Sequence, residues 1–330
     1  MPTNKEKETP FFSVVIPVYN GSNYLQGAIE SVLQQSFSDF EVVVINDGSN
    51  DQNKTENICL SFGSRINYFR KENGGVASAL NEGLKRSKGK YFIWLSHDDL
   101  LTPDRLEKDH HFISTHDDVD VIGTNFKSID AENNIVNTFT YPPHLSLISK
   151  CRQVFELNML FFCALTIKKT CFAKVGNFNE ANRYSQDVEM ALLLVKNFSV
   201  FIASHFGVLA RDHEQRDSYK PGVTESSHAF LTRFIHERLD LEDFARVNES
   251  LSKRHAYLSQ LYYGFSDLVS ARKQFELSLA MQSPDDKYWM IASAFNERPL
   301  MFNLLSSFYY KIMLFLLKLQ VKLSLKKSKS

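Results

Sequence analysis

Apolar positions fall in dense blocks along the first 130 residues, separated by short polar and glycine-bearing turns. Phe11–Val18 (FFSVVIPV) is a nearly continuous β-branched run, the pattern of a strand buried on both faces. Asn20-Gly21-Ser22 interrupts it, and Asn23–Gln35 then carries Leu25, Ile29, Val32 and Leu33 at helical spacing. Phe40–Asp47 predicts a second buried strand, ending in Asp47-Gly48-Ser49, a turn expected to open another helix. Ile66–Lys71 predicts a third, weaker strand, and Asn73-Gly74-Gly75 leads into a helix through Arg86. Lys90–Asp99 predicts a fourth strand with a polar end, and Thr102-Pro103 is expected to cap the helix that follows. Asp118–Asn125 predicts a fifth strand.

Strict alternation of strand and helix implies a parallel sheet with right-handed crossovers. Ligands of such sheets bind beyond the carboxyl ends of the strands. Tyr19-Asn20, Asp47-Gly48-Ser49 and His97-Asp98-Asp99 occupy those ends. The pattern mixes after about residue 124. Phe126–Ile129 and Ile135–Phe139 suggest a hairpin across Glu132-Asn133-Asn134, and Met159–Lys169 another buried strand. Val175–Phe178 reads as a turn and Asp187–Asn197 as a helix with Val188, Leu192 and Val195 on its apolar face. From Ser226 the signal is helical, with Leu258–Phe265 and Ala271–Met281 resembling a helical hairpin. The expected organisation is a disordered N-terminus over 1–10, an α/β domain over 11–220, a helical extension over 221–298 and a basic amphipathic helix over 299–330.

Composition adds bounds. The 330 residues include 43% hydrophobic and 23% charged side chains, so whole-chain disorder is excluded. Net charge is zero, and no global field draws the chain to nucleic acid. Cys59, Cys151, Cys163 and Cys171 lack metal-ligand spacing and read as reduced, buried thiols. The polar start, MPTNKEKETP, has no signal-peptide core. The neutral total hides a tail with Lys311, Lys318, Lys322, Lys326, Lys327 and Lys329 on an apolar background. That favours a helix in the membrane interface over one packed on the protein itself or spanning the bilayer.

The rim groups suggest chemistry. An Asp98-Asp99 pair at a strand end can hold Mg²⁺ or Mn²⁺, which bridge to substrate phosphates; it could equally cap a helix. Asp47 could accept from a base or ribose, or close its own turn. Asn73-Gly74-Gly75 lets backbone approach a ligand, or is a plain turn. No GxxxxGK[ST] or GxGxxG motif accompanies these residues. A nucleotidyltransferase would need a basic, glycine-rich loop, and Tyr19-Asn20-Gly21-Ser22 offers no Lys or Arg.

SVVIPVYNGSNYLQGAIESVLQQSF, FEVVVINDGSNDQN, NGGVASALNEGLKRSKGKYFIWLSHDD and KVGNFNEANRYSQDVEMALLL together resemble family 2 glycosyltransferases, over roughly Phe12 to His213. The resemblance implies the GT-A fold: a Rossmann-like, mostly parallel sheet flanked by helices, here with a C-terminal helical region. It implies an inverting enzyme that moves a sugar from a nucleoside-diphosphate sugar, usually UDP-linked, with Mg²⁺ or Mn²⁺ as cofactor. Pro17, Tyr19 and Asn20 would line the nucleoside pocket, Asp47 would contact the base, and Ser49 lies beside it. Asn73, Gly75 and Asn81 fall in the wall near ribose and diphosphate. Asp98 matches the metal-binding Asp of the family's DxD element, with Asp99 beside it, and His97 and Asp98 fall in the nucleotide-sugar site. Asp187 matches the general base, and His213 a histidine near diphosphate or metal.

Three positions depart from the family pattern: Ser96 replaces the first Asp of DxD, Gln186 the Glu before the base, and Leu80 the usual Arg before Asn81. Ser96 and Gln186 keep a second reading open, a catalytically silent nucleotide-sugar-binding subunit of a glycan-assembly complex. The partners expected are the nucleotide sugar, a glycan or lipid-linked acceptor and the inner face of the cell membrane, with no nucleic acid.

Overall fold

A computed structural model describes residues 9–142, 147–148, 150–156, 161–213, 221–245 and 250–281. The basic tail therefore lies outside the described residues, as does the expected N-terminal stretch through residue 8. Among the described residues no helix is long and apolar enough to cross a membrane.

Among the described residues, ten strands form one sheet: β1 (Phe12–Val18), β2 (Phe40–Asn46), β3 (Asn67–Arg70), β4 (Tyr91–Trp94), β5 (Leu100–Leu101), β6 (Val121–Ile129), β7 (Ile135–Phe139), β8 (Leu147–Ile148), β9 (Leu165–Lys168) and β10 (Val200–Arg211). Their order is β3-β2-β1-β4-β9-β6-β10-β5, with β7 beside β6 and β8 beside β10. β1 pairs in parallel with β2 and with β4, and β2 with β3. All seven residues of β1 are buried, as its unbroken apolar run requires. β9 is antiparallel to both β4 and β6, so β4 and β6 point the same way, and β10 runs parallel to β6. The carboxyl ends of β1, β2, β4, β6 and β10 therefore reach one edge.

The helices are α1 (Leu25–Leu33), α2 (Lys54–Ser61), α3 (Val76–Arg86), α4 (Arg105–Thr115), α5 (Cys151–Glu156), α6 (Phe172–Val175), α7 (Gln186–Asn197), α8 (Val223–Arg238), α9 (Leu251–Gly264) and α10 (Leu268–Ala280). α1 buries Leu25, Ala28, Ile29 and Val32, close to the predicted stripe. α9 and α10 form the expected helical hairpin. The main apolar cluster runs from β1 and α1 through α7 to Leu231, Phe234, Leu258 and Tyr262 of the later helices. The four cysteines are buried and unpaired, and desolvation pushes the thiols of Cys59, Cys151 and Cys171 up to about 12.

Five local expectations change. The turn after β2 does not open a helix directly: α2 starts at Lys54, because Ser49 and Asn50 are first tied to Asn46 and Asn20. β4 ends at Trp94, and the polar Ser96–Asp99 stretch leaves the ladder. Thr102 does not cap α4. Its amide and hydroxyl bond the carbonyls of Gly207 and Phe206, extending the β5–β10 pairing, and the helix starts at Arg105. The segments 118–125 and 126–129 join as the single strand β6. Within Met159–Lys169, Phe162–Ala164 form a 3-10 turn before β9. The sequence reading also missed β10, whose pairing with β6 is interrupted by bulges between Ala203 and Val208.

A buried ionic group pins β9. Arg105 and Asp109, one turn apart on α4, are both 0% exposed, with Nε and Oδ2 3.4 Å apart. The Arg105 guanidinium donates to the carbonyls of Cys163 (2.6 Å) and Leu165 (3.1 Å). Asp109 accepts from Thr166 Oγ1 at 2.6 Å and pairs with His205 Nε2 at 2.8 Å. Burial alone would raise the Asp109 pKa; His205 and Arg105 outweigh it and hold the carboxyl below its usual range. Removing one partner strands the other in the core. Asp109→Ala is expected to cost about 3–5 kcal/mol in urea denaturation. Asp104→Ala, which breaks only the exposed Asp104–Lys108 pair, should cost under about 0.5 kcal/mol. Equal losses would contradict this account of the core.

Candidate functional site

The edge where β1 and β2 end is built by reciprocal hydrogen bonds. Asn20, in left-handed conformation at φ 51°, donates its amide to Ser49 Oγ at 2.9 Å. Its side chain donates to Asn50 Oδ1 and accepts from the Asn50 amide, both at 2.8 Å. Asn46, at the end of β2, accepts from the Ser49 amide and donates to Tyr68 Oη. Asn46, not Asp47, therefore closes this turn. Ser49 is buried, Pro17 is buried inside β1 opposite Ile45, and Tyr19 is 45% exposed at the rim.

Asp47 serves the neighbouring loop. It is 2% exposed, and its carboxylate accepts from Lys71 Nζ at 2.7 Å, the Gly74 amide at 3.0 Å and the Gly75 amide at 2.8 Å. A charged acceptor with two backbone donors and an ammonium is strongly held. It bends residues 71–75 across the end of β2, with Asn73 exposed at the outside. Gly48 permits this approach: at φ 73° a Cβ there would lie 2.7 Å from the Asn73 amide nitrogen. Asn81 on α3 ties this side to the segment before α7. It donates to the Phe178 carbonyl (3.0 Å) and Glu180 Oε1 (2.8 Å) and accepts from the Phe178 amide (2.9 Å). A cavity of about 340 Å³ lies between, lined in part by Lys71, Ser78, Asn81 and Glu180.

The β4 end carries the acidic turn. Asp98 Oδ2 lies 2.9 Å from His213 Nε2, just beyond the end of β10. The two are at hydrogen-bond distance, and a carboxylate and an imidazole are both donor types that a divalent cation accepts. Among the described residues no group of three or more His, Cys, Asp or Glu is arranged to hold a metal. A cation here would thus take its remaining ligands from substrate phosphate and water. Neither Asp98 nor Asp99 caps α4. Asp99 is buried and accepts from the Arg211 amide at 2.8 Å. His97 packs on the first loop, where a Cβ on Gly21 would fall 2.3 Å from its ring. Ser96 Oγ lies 3.4 Å from Cys163 Sγ, on the 3-10 turn before β9.

Asp187 occupies the first turn of α7, and its carboxylate accepts from the Val188 amide at 2.9 Å. Burial pushes its pKa above the ordinary 3.8, and backbone hydrogen bonds offset only part of the rise. Its neighbour Gln186 is 7% exposed, with Oε1 unpartnered. Before α7, Asn179 and Asn182 both donate to Glu189, and Ser185 donates to Asn182, fixing the helix entrance.

Arg211 was not singled out from the sequence. It is 4% exposed at the end of β10, and its guanidinium lies 4.5 Å from the centre of the Tyr24 ring, which is itself 5.2 Å from the His213 ring. An arginine two residues before a candidate ligand, closing a strand, was the available signal.

The profile described as "Glycosyl transferase family 2" matches residues 13–171. An uncharacterized glycosyltransferase of Rickettsia typhi is 34% identical over 277 residues, covering 83% of this chain and 85% of the relative. One from Rickettsia felis is 35% identical over 309 residues, covering 90% of this chain and 50% of the relative. The hyaluronan synthase of Pasteurella multocida is 43% identical over 271 residues, 80% of this chain and 25% of the synthase. The chain thus spans half the length of the R. felis relative. The crystal structure of S. aureus TarS in complex with UDP superposes with a TM-score of 0.55 at 19% identity, covering 83% of this chain and 93% of the other, which shows a shared GT-A fold. On this sequence similarity, the chain belongs to the family 2 glycosyltransferases.

Proposed function

We propose that this chain transfers a sugar from a UDP-linked donor to a hydroxyl of a glycan or lipid-linked acceptor in surface polysaccharide assembly, with inversion at the anomeric carbon. The observation that carries the reading is the Asp98–His213 pair, on the same sheet edge as the loop pinned by Asp47. Similarity to a hyaluronan synthase and to TarS, solved with UDP, supports the donor and acceptor classes.

The reaction is a single displacement. The rim loops of Asn20, Ser49 and Asn73–Gly75 hold the nucleoside and ribose, and Asp47 sets the shape of that wall through its backbone donors. Mg²⁺ or Mn²⁺ on Asp98 and His213 would neutralise charge on the departing diphosphate. Asp187 accepts the proton of the acceptor hydroxyl as its oxygen attacks the anomeric carbon. Its partly desolvated carboxylate is a stronger base than an exposed one. Gln186, uncharged, adds no repulsion to the ionised Asp187.

Three outcomes check this reading. With Mn²⁺ present, UDP-sugars should raise the melting temperature more than GDP- or CMP-sugars; a preference for another base rejects the UDP assignment. Asp187→Asn should leave that stabilisation intact and cut kcat by about 10²–10⁴-fold. A wild-type chain that binds donors yet turns over none with a range of glycan acceptors indicates the silent subunit instead. Because the base works ionised, kcat/KM should fall as pH drops through the Asp187 pKa. That acid limb should lie above pH 3.8 and vanish from the residual activity of Asp187→Asn; a limb unchanged in the variant assigns the titration to another group.

A further inference from the structure

A permanently charged guanidinium sits buried at the catalytic edge, and its partners are chiefly main-chain carbonyls. Arg211 Nε donates to the Asp98 carbonyl at 2.9 Å. One terminal nitrogen donates to the carbonyls of Asp130 (2.7 Å) and Ala131 (3.1 Å), and the other to Asn133 Oδ1 at 2.6 Å. Its own backbone amide donates to Asp99 Oδ1, and its flat face covers Tyr24 at the start of α1. One side chain thus joins four pieces of chain: the Asp98–Asp99 turn, the tip of the β6–β7 hairpin, the end of β10 and the entry to α1.

The hairpin tip is shaped to meet it. Asp130 accepts from the amides of Glu132 and Asn134 and from the Asn134 side chain, while Asn133 takes a left-handed conformation at φ 70°. This closed turn presents the carbonyls of 130 and 131 side by side toward Arg211. A lysine could not replace the arginine there, because an ammonium is a point donor and cannot span four acceptors in a fixed plane.

We infer that Arg211 is a positioning residue: it clamps the Asp98 backbone against the hairpin tip and so holds the Asp98 carboxylate in register with His213 for the cation-bound diphosphate. The inference rests on the proposed role of Asp98. Groups that orient a metal ligand alter metal affinity without touching the metal. The clamp acts on the acidic turn and leaves the Asp47 loop alone, so it should affect metal-supported binding and spare metal-free nucleotide binding.

The test uses the full chain, with UDP and Mn²⁺ as probes and two readouts: the half-saturating Mn²⁺ for thermal stabilisation, and UDP affinity in EDTA. Arg211→Lys should raise half-saturating Mn²⁺ about tenfold or more, the range for lost outer-shell support, with metal-free UDP affinity and far-ultraviolet circular dichroism near wild type. Asn133→Gly, at an exposed position whose positive φ suits glycine, should shift it in the same direction by less and carries the test if Arg211→Lys does not fold. Unchanged half-saturation in both variants, or an equal loss of UDP affinity without metal, overturns the inference. Asp98→Asn separates it from the underlying reading. If Mn²⁺ stabilisation is absent in wild type or survives in Asp98→Asn, the cation assignment is wrong. If it is lost in Asp98→Asn and untouched by Arg211→Lys and Asn133→Gly, only the clamp is wrong.

Discussion

One inverted strand governs the placement of everything at the rim. β9 runs antiparallel between β4 and β6, and this single reversal lets two parallel groups of strands point the same way. Were β9 parallel to β4 and antiparallel to β6, the ends of β6 and β10 would leave from the opposite edge and His213 could not meet Asp98. The Arg105–Asp109–Thr166–His205 group enforces that placement by gripping the carbonyls of Cys163 and Leu165 at the strand's start. A buried ion pair is a poor source of net stability, but it discriminates strongly against arrangements that leave a charge unpaired. Its value here is in fixing one strand's seat.

The edge divides into two halves held by different means. On the β1–β2 side a buried carboxylate organises backbone: Asp47 draws in the Gly74 and Gly75 amides. On the β4–β10 side a buried cation does so: Arg211 gathers the carbonyls of Asp98, Asp130 and Ala131. The sign differs because the orphan groups differ, amides at a helix start in one case and carbonyls at turns in the other. Each charge serves to shape a loop.

Much of the fold was legible because its central strands are buried on both faces. β1 and β2 read directly from β-branched runs, and α3 from the Asn73-Gly74-Gly75 punctuation before it. β10 was not, because Ser204, His205 and Gly207 break its apolar pattern where the strand bulges; their reasons lie in Asp109 and Thr124, far away in sequence. Asp47 and Asp98 were visible as polar residues at strand ends and through family resemblance, and His213 through the resemblance alone. Arg211 and the ionic group on α4 were not, since main-chain carbonyls are identical at every position and cannot mark their partner in a sequence.

The central claim is that Asp98 and His213 share a cation with the donor's diphosphate at the edge flanked by the Asp47 loop. The most direct measurement is an anomalous difference map from crystals grown with UDP and Mn²⁺. The account predicts a single strong peak bonded to Asp98, His213 and the diphosphate, with the uracil against the wall formed by Asn20, Ser49 and Asn73–Gly75. A peak away from Asp98, or UDP seated elsewhere on the chain, would contradict it.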